Sequence, residues 1–166
     1  IATSTDFIQD VGLFAADGSL IDVCWHSELN WSATAYAVGN LDDDPEGEFV
    51  AAGTGYVALC DSDGTQIASK DVGTLQPAMV GLAELDADPY PEILVGDPAG
   101  LFALEHDLQL LWHWTNGEVN AFHVPFSVAD LDGDGYHDIM VRCWDDLYLL
   151  DRHSAIIATL ETADCH

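Results

Sequence analysis

Short apolar runs rich in Val, Ile, Leu, Tyr and Phe alternate with polar breaks along almost the whole chain. Runs of this length, bounded by Gly, Pro or Asp, predict β-strands rather than helices, and no helix of useful length is expected. One succession of signals occurs three times. An apolar stretch leads into an acidic loop, followed by a run (Phe49 to Ala52, Ile93 to Val95, Ile139 to Val141) and a Gly, Pro or Asp break. A second run follows (Tyr56 to Leu59, Leu101 to Leu104, Leu147 to Leu150), then a turn, clearest at Asp61-Ser62-Asp63-Gly64. A last run closes the unit (Gln66 to Lys70, Leu110 to Trp114, Ala155 to Thr159).

Four short strands per unit are implied, and a period of about 45 residues with that content predicts a β-propeller blade. One such sheet cannot bury both faces without neighbours, so the units must stack. The predicted fold is all-β: a propeller-type array of about three complete blades and one partial, in a single repeat domain. The units run approximately 1–29 (partial), 30–73, 74–119 and 120–166. In the partial unit Phe7-Ile8, Gly12 to Ser19 and Leu20 to Val23 supply the strands and turn, and Asp6 aligns with Glu48, Glu92 and Asp138.

The acidic loops begin at Asn40, Glu84 and Asp130, 44 and 46 residues apart. Oxygen-bearing side chains fall at positions 1, 3, 5 and 9: Asn40, Asp42, Asp44 and Glu48; Glu84, Asp86, Asp88 and Glu92; Asp130, Asp132, Asp134 and Asp138. Position 7, occupied by Glu46, Tyr90 and Tyr136, is free to offer its backbone carbonyl. Alternation by two turns these oxygens inward around a tight bend, which is what Ca²⁺ requires of its ligands. Up to three ions are expected. Gly133 and Gly135 ease the bend of the third loop, whereas Pro45 and Pro89 stand at position 6 of the other two. The expected affinity order is third, second, first. Zinc is disfavoured because no His or Cys occupies a ligand position in any loop, and Mg²⁺ because it prefers fewer protein ligands. A lone Asp-rich segment is usually just a polar turn, but recurrence at equal spacing argues against that here.

Charge sharpens this picture. The 166 residues carry 30 Asp and Glu against 3 Lys and Arg, a formal net charge of -27, which repels nucleic acid and anionic membrane. With 49% apolar residues the chain has the means to fold, provided cations neutralise its loops, so metal binding should be coupled to folding. No apolar run is long enough to span a bilayer and no leader opens the sequence, so a soluble protein is expected, already processed if secreted. Cys24, Cys60, Cys143 and Cys165 form no C-x-x-C pair. They are either small buried residues or joined in one or two bridges, in any of three pairings.

Val128 to Val141, and more loosely Gly81 to Val95 and Val38 to Ala51, resemble the FG-GAP or VCBS-type repeat, the calcium-loop blade of integrin α-subunit heads and many bacterial secreted proteins. In that family the loop joins the first two strands of a blade and holds Ca²⁺, and the usual roles are adhesion, ligand binding or scaffolding. The resemblance implies an extracellular, secreted or cell-surface protein, with a protein or carbohydrate ligand. Family propellers have six to eight blades. This chain could close as a four-bladed ring, complete itself with another copy through open sheet edges, or belong to a longer protein.

Trp25, Trp31, Trp112, Trp114 and Trp144 are read as packing between blades rather than as sugar-stacking platforms. His26, His106, His113, His123, His137, His153 and His166 form no metal spacing. No nucleophile elbow or phosphate loop is present, so a non-catalytic binding or structural module is expected. The alternative is a carbohydrate-active enzyme, such as a polysaccharide lyase, on the same scaffold; Asp97, Glu105, Glu118, Asp145 and Asp146 are spare acids for it. Asn30-Trp31-Ser32 is an N-glycosylation sequon.

Overall fold

A computed structural model describes residues 2–4, 11–14, 17–25, 33–53, 55–72, 79–117, 125–143 and 146–161. Phe7-Ile8, Asp6, the sequon, Trp31, Trp144, His26, His123, His166, Cys165, Glu118 and Asp145 lie outside these residues, as do the side chains of Cys24 and Trp25. Among the described residues the secondary structure is entirely β, and no helix is long and apolar enough to cross a membrane.

Among the described residues, fifteen strands form four antiparallel sheets. β1 (Ala2–Ser4), β2 (Val11–Phe14) and β3 (Leu20–Trp25) make a three-stranded sheet. The next three sheets are four-stranded meanders. The first has β4 (Ala33–Gly39), β5 (Glu48–Gly53), β6 (Tyr56–Cys60) and β7 (Gln66–Asp71). The second has β8 (Met79–Ala83), β9 (Glu92–Asp97), β10 (Gly100–Leu104) and β11 (Leu110–Trp114). The third has β12 (Phe126–Ala129), β13 (Asp138–Cys143), β14 (Asp146–Leu150) and β15 (Ile156–Leu160).

Strand alternation sends successive side chains to opposite faces of a sheet, and both faces find neighbours. In β9, Ile93 and Val95 join Leu41, Val50, Val57 and Leu59 of the preceding sheet. Leu94, between them, packs with Ile139, Val141 and Leu150 of the following one. All six residues of β9 are therefore buried. Successive sheets approach closely: a Cβ on Gly39 would stand 2.3 Å from Leu82 Cδ1, and one on Gly81 would stand 2.9 Å from the Phe126 ring.

The last sheet breaks the pattern on one face. Leu41 and Leu85 occupy position 2 of their loops and are 1% and 3% exposed, each packed toward the next sheet, whereas the equivalent Leu131 is 63% exposed. Val50 and Leu94 are fully buried; their equivalent Met140 is 47% exposed.

The turn between the third and fourth strands of each four-stranded sheet has one backbone geometry. Gly64, Leu108 and Ser154 all take positive φ (93°, 69° and 66°). Each donates its N–H to the carbonyl three residues back, Asp61, Glu105 and Asp151. Leu108 adopts this unfavourable conformation while 3% exposed, its burial offsetting a cost of about 1 kcal/mol.

Candidate metal centre

Register creates the three loops. Gly39 pairs with Glu48, Ala83 with Glu92 and Ala129 with Asp138, so each loop bridges the first two strands of its sheet and position 9 opens the second strand. The position-9 carboxylate reaches back across the loop and accepts the N–H of position 2. Glu48 Oε2 accepts from Leu41 at 2.5 Å, Glu92 Oε2 from Leu85 at 2.5 Å, and Asp138 Oδ2 from Leu131 at 3.2 Å.

A chain of Asx turns shapes the rest identically in all three. The N–H of position 5 donates to Oδ1 of position 3 (Asp44 to Asp42, Asp88 to Asp86, Asp134 to Asp132) at 2.8–3.0 Å. The N–H of position 7 donates to Oδ1 of position 5 (Glu46 to Asp44, Tyr90 to Asp88, Tyr136 to Asp134) at 2.8–2.9 Å. Each aspartate uses one oxygen on the backbone and has the other for a cation.

Ligand-capable oxygens within 4.8 Å of one another are gathered from Asp42, Asp44 and Glu48 in the first loop, and from Asp130, Asp132 and Asp134 in the third. In the second they come from Asp86, Asp88 and Glu92, joined by Glu105 from the β10–β11 turn. Position 1 differs between loops, and the residue at position 6 explains it. Gly133 (φ 82°) and Gly135 (φ 95°) donate to Asp130 at 2.7 and 3.1 Å, turning its carboxylate inward. Pro45 and Pro89 have no N–H to give. Asn40 instead donates Nδ2 to the Asp44 carbonyl at 2.6 Å, and Glu84 stands outside the second group. Asp138, one methylene shorter than Glu48 and Glu92, stands outside the third.

Glu48 and Glu92 are fully buried, and among the described residues Oε1 of each has no hydrogen-bond partner. An unpartnered buried carboxylate oxygen costs several kcal/mol unless a cation or proton meets it. Burial, helped by Asp86 and Asp88, pushes the Glu92 carboxyl up to about 7; Glu48 is raised too, by burial first and then by Asp42 and Asp44. The third loop is open by comparison: Asp130, Asp132 and Asp134 are exposed, and Asp132 and Asp134 border a cleft shared with Asp151, Arg152 and His153. Arg152 lies 3.9 Å over the Tyr136 ring.

Neighbouring loops are linked. The Tyr90 hydroxyl donates to Asp43 Oδ1, which pushes its own titration up to about 12. Glu84 N–H donates to His137 Nδ1 at 2.9 Å, and His137 N–H to the Glu84 carbonyl at 2.7 Å.

Of the other candidates, Trp114 is buried between sheets and Trp112 is half-buried, its Nε1 donating to the Arg152 carbonyl at 3.0 Å. His113 stacks on Phe102 at 4.0 Å between ring centroids. Asp97 is 2% exposed and accepts the Ala99 N–H. Cys60 is disulfide-bonded, and Cys143 is buried.

No family model and no curated protein matches this chain. Solved structures do. The chain superposes on BBS1N, crystallised in complex with ARL6DN, with a TM-score of 0.70 at 17% identity, over 99% of this chain and 50% of that one. It superposes on the Dos1 propeller with a TM-score of 0.64 at 12% identity, over 93% and 42%. A protein of unknown function from Bacteroides caccae gives 0.61 at 8% identity, over 98% and 57%. The chain thus spans about half the length of these structures. At such identities the likeness concerns fold alone, and it agrees with the stacked meanders: the fold is a β-propeller-type array of four-stranded blades.

Proposed function

We propose that this chain is a calcium-stabilised propeller segment of the FG-GAP or VCBS type, a non-catalytic extracellular module that binds other proteins. The observation carrying this reading is the pair of fully buried glutamates, Glu48 and Glu92, each with an unpartnered oxygen and a carboxylate clustered with the aspartates of its own loop. Ca²⁺ meets such hard oxygen sets, and binding it would remove the repulsion that otherwise opposes closure of each loop. Metal here serves structure, and carbohydrate remains a second ligand class for the same module.

The bridged Cys60 supports an oxidising, extracellular compartment. Protein binding is supported by the fold and by BBS1N, a propeller whose structure contains a protein partner. On this chain the contact surface is the open face of the last sheet, around Leu131 and Met140, and another blade-like sheet from a second copy fits it. The two preceding sheets bury the equivalent face against just such a sheet.

Light scattering coupled to size exclusion, in excess Ca²⁺ and in chelator, tests both halves. An assembly in Ca²⁺ that weakens on chelation, and is lost in Leu131→Asp, supports the reading. A monomer throughout, with unchanged elution on chelation, contradicts it.

A further inference from the structure

The second loop differs from the other two in what approaches it from outside. Glu105 and His106 follow β10 directly and open the turn that holds Leu108 at positive φ. That turn sets them over the loop: Glu105 shares a 4.8 Å cluster with Asp86, Asp88 and Glu92, and a second cluster with Asp88 and His106. His106 Nδ1 lies 3.6 Å from Asp88 Oδ2 and 4.0 Å from Glu105 Oε2, is buried, and has no hydrogen-bond partner among the described residues. Its ring packs at 4.9 Å on Tyr90, the position-7 residue of the same loop. The first of those clusters includes the fully buried Glu92, whose Oε1 has no hydrogen-bond partner among the described residues.

The equivalent turns do not supply this. Asp61 accepts the N–H of Ser62, and Asp151 those of His153 and Ala155, each carboxylate serving its own turn. Glutamate is one methylene longer and spans the gap that aspartate cannot. Only in the middle sheet, among the described residues, does the metal-competent cluster include an imidazole nitrogen.

We propose that the second loop is a mixed oxygen–nitrogen site, completed by Glu105 and His106, that takes a borderline divalent d-block cation such as Co²⁺ or Zn²⁺ in preference to Ca²⁺. The inference rests on the reading of the loops as cation sites, and revises the expectation that zinc is disfavoured. Carboxylates alone favour Ca²⁺, whereas one imidazole shifts preference toward Co²⁺ and Zn²⁺. A cation there would tie the β10–β11 turn to the β8–β9 loop, cross-linking two hairpins of one sheet.

The test titrates the decalcified full chain with Co²⁺, reading visible absorbance and paramagnetically shifted imidazole proton resonances, for wild type, His106→Asn and Glu105→Gln. Wild type should bind one Co²⁺ with a shifted imidazole signal, at least tenfold more tightly than either variant. The signal should vanish in His106→Asn. A cooperative melt in excess Ca²⁺ should persist in both variants, showing that they fold. A wild-type chain that binds Ca²⁺ but shows no shifted imidazole signal, or a His106→Asn chain that retains it, overturns this proposal and leaves the calcium reading standing. If neither ion binds, both fall.

Discussion

Glu84 and His137 exchange two hydrogen bonds across neighbouring sheets, the Glu84 N–H to His137 Nδ1 and the His137 N–H to the Glu84 carbonyl. The Glu84 side chain is not what matters there. The pair fixes the second and third loops against each other and requires an unprotonated Nδ1. His137→Ala removes the acceptor from a half-buried N–H and should lower stability by about 1–2 kcal/mol. His137→Asn, whose side-chain oxygen can replace Nδ1, should recover most of that. Thermal melts in Ca²⁺ check both, and equal loss in the two variants would contradict the role assigned to Nδ1.

The open face of the last sheet makes a comparison at equivalent positions. Leu85→Asp places a charge between two sheets and should cost more than about 3 kcal/mol or prevent folding. Leu131→Asp, at the same loop position but 63% exposed, should leave the melting temperature of the unassembled chain unchanged. Equal damage from both, measured at concentrations low enough to dissolve any assembly, would mean that Leu131 is covered within the chain.

Glu92→Gln separates the cost of the buried charge from its use. In chelator the variant should be at least as stable as wild type, because an amide spares the desolvation penalty and the repulsion from Asp86 and Asp88. In excess cation it should gain less stability than wild type. Melts of the two proteins with and without metal check this, and an undiminished gain would remove Glu92 from the site.

The same carboxyl predicts an unusual pH dependence for the metal-free chain. Its folded value of about 7 lies above the ordinary 4.5, so between those values the folded chain holds a proton that the unfolded chain has released. Stability must therefore fall as pH rises through that window. The melting temperature in chelator should drop by several degrees from about pH 5 to about pH 8, and saturating Ca²⁺ should remove the drop. A chelated protein that becomes more stable over that range would contradict the assignment.

Much of this architecture is visible in the alternation of apolar runs. Ile93, Leu94 and Val95 read as a strand buried on both sides, and the structure sends them to two different interfaces. The loops are legible because carboxylates recur at fixed spacing. Inside the loops, spacing was a weaker guide. Asp130 turns inward because two glycines donate to it, while Glu84 lacks that donor since proline replaces the second glycine. The third loop, expected to be the strongest, is open, and the unpartnered buried oxygens belong to the first two. By sequence Glu105 is one of several spare acids. Its place depends on a turn in which a leucine takes a conformation usually left to glycine, and no local pattern announces that.

Direct calorimetric titration of Ca²⁺ into the decalcified chain, followed by melts of the same samples, tests the central claim most directly. The loops predict saturable binding at two or three sites per chain and a melting temperature that climbs with occupancy. Absence of saturable binding, or binding with no change in melting, would show that these carboxylates form polar turns and that the fold is held without metal.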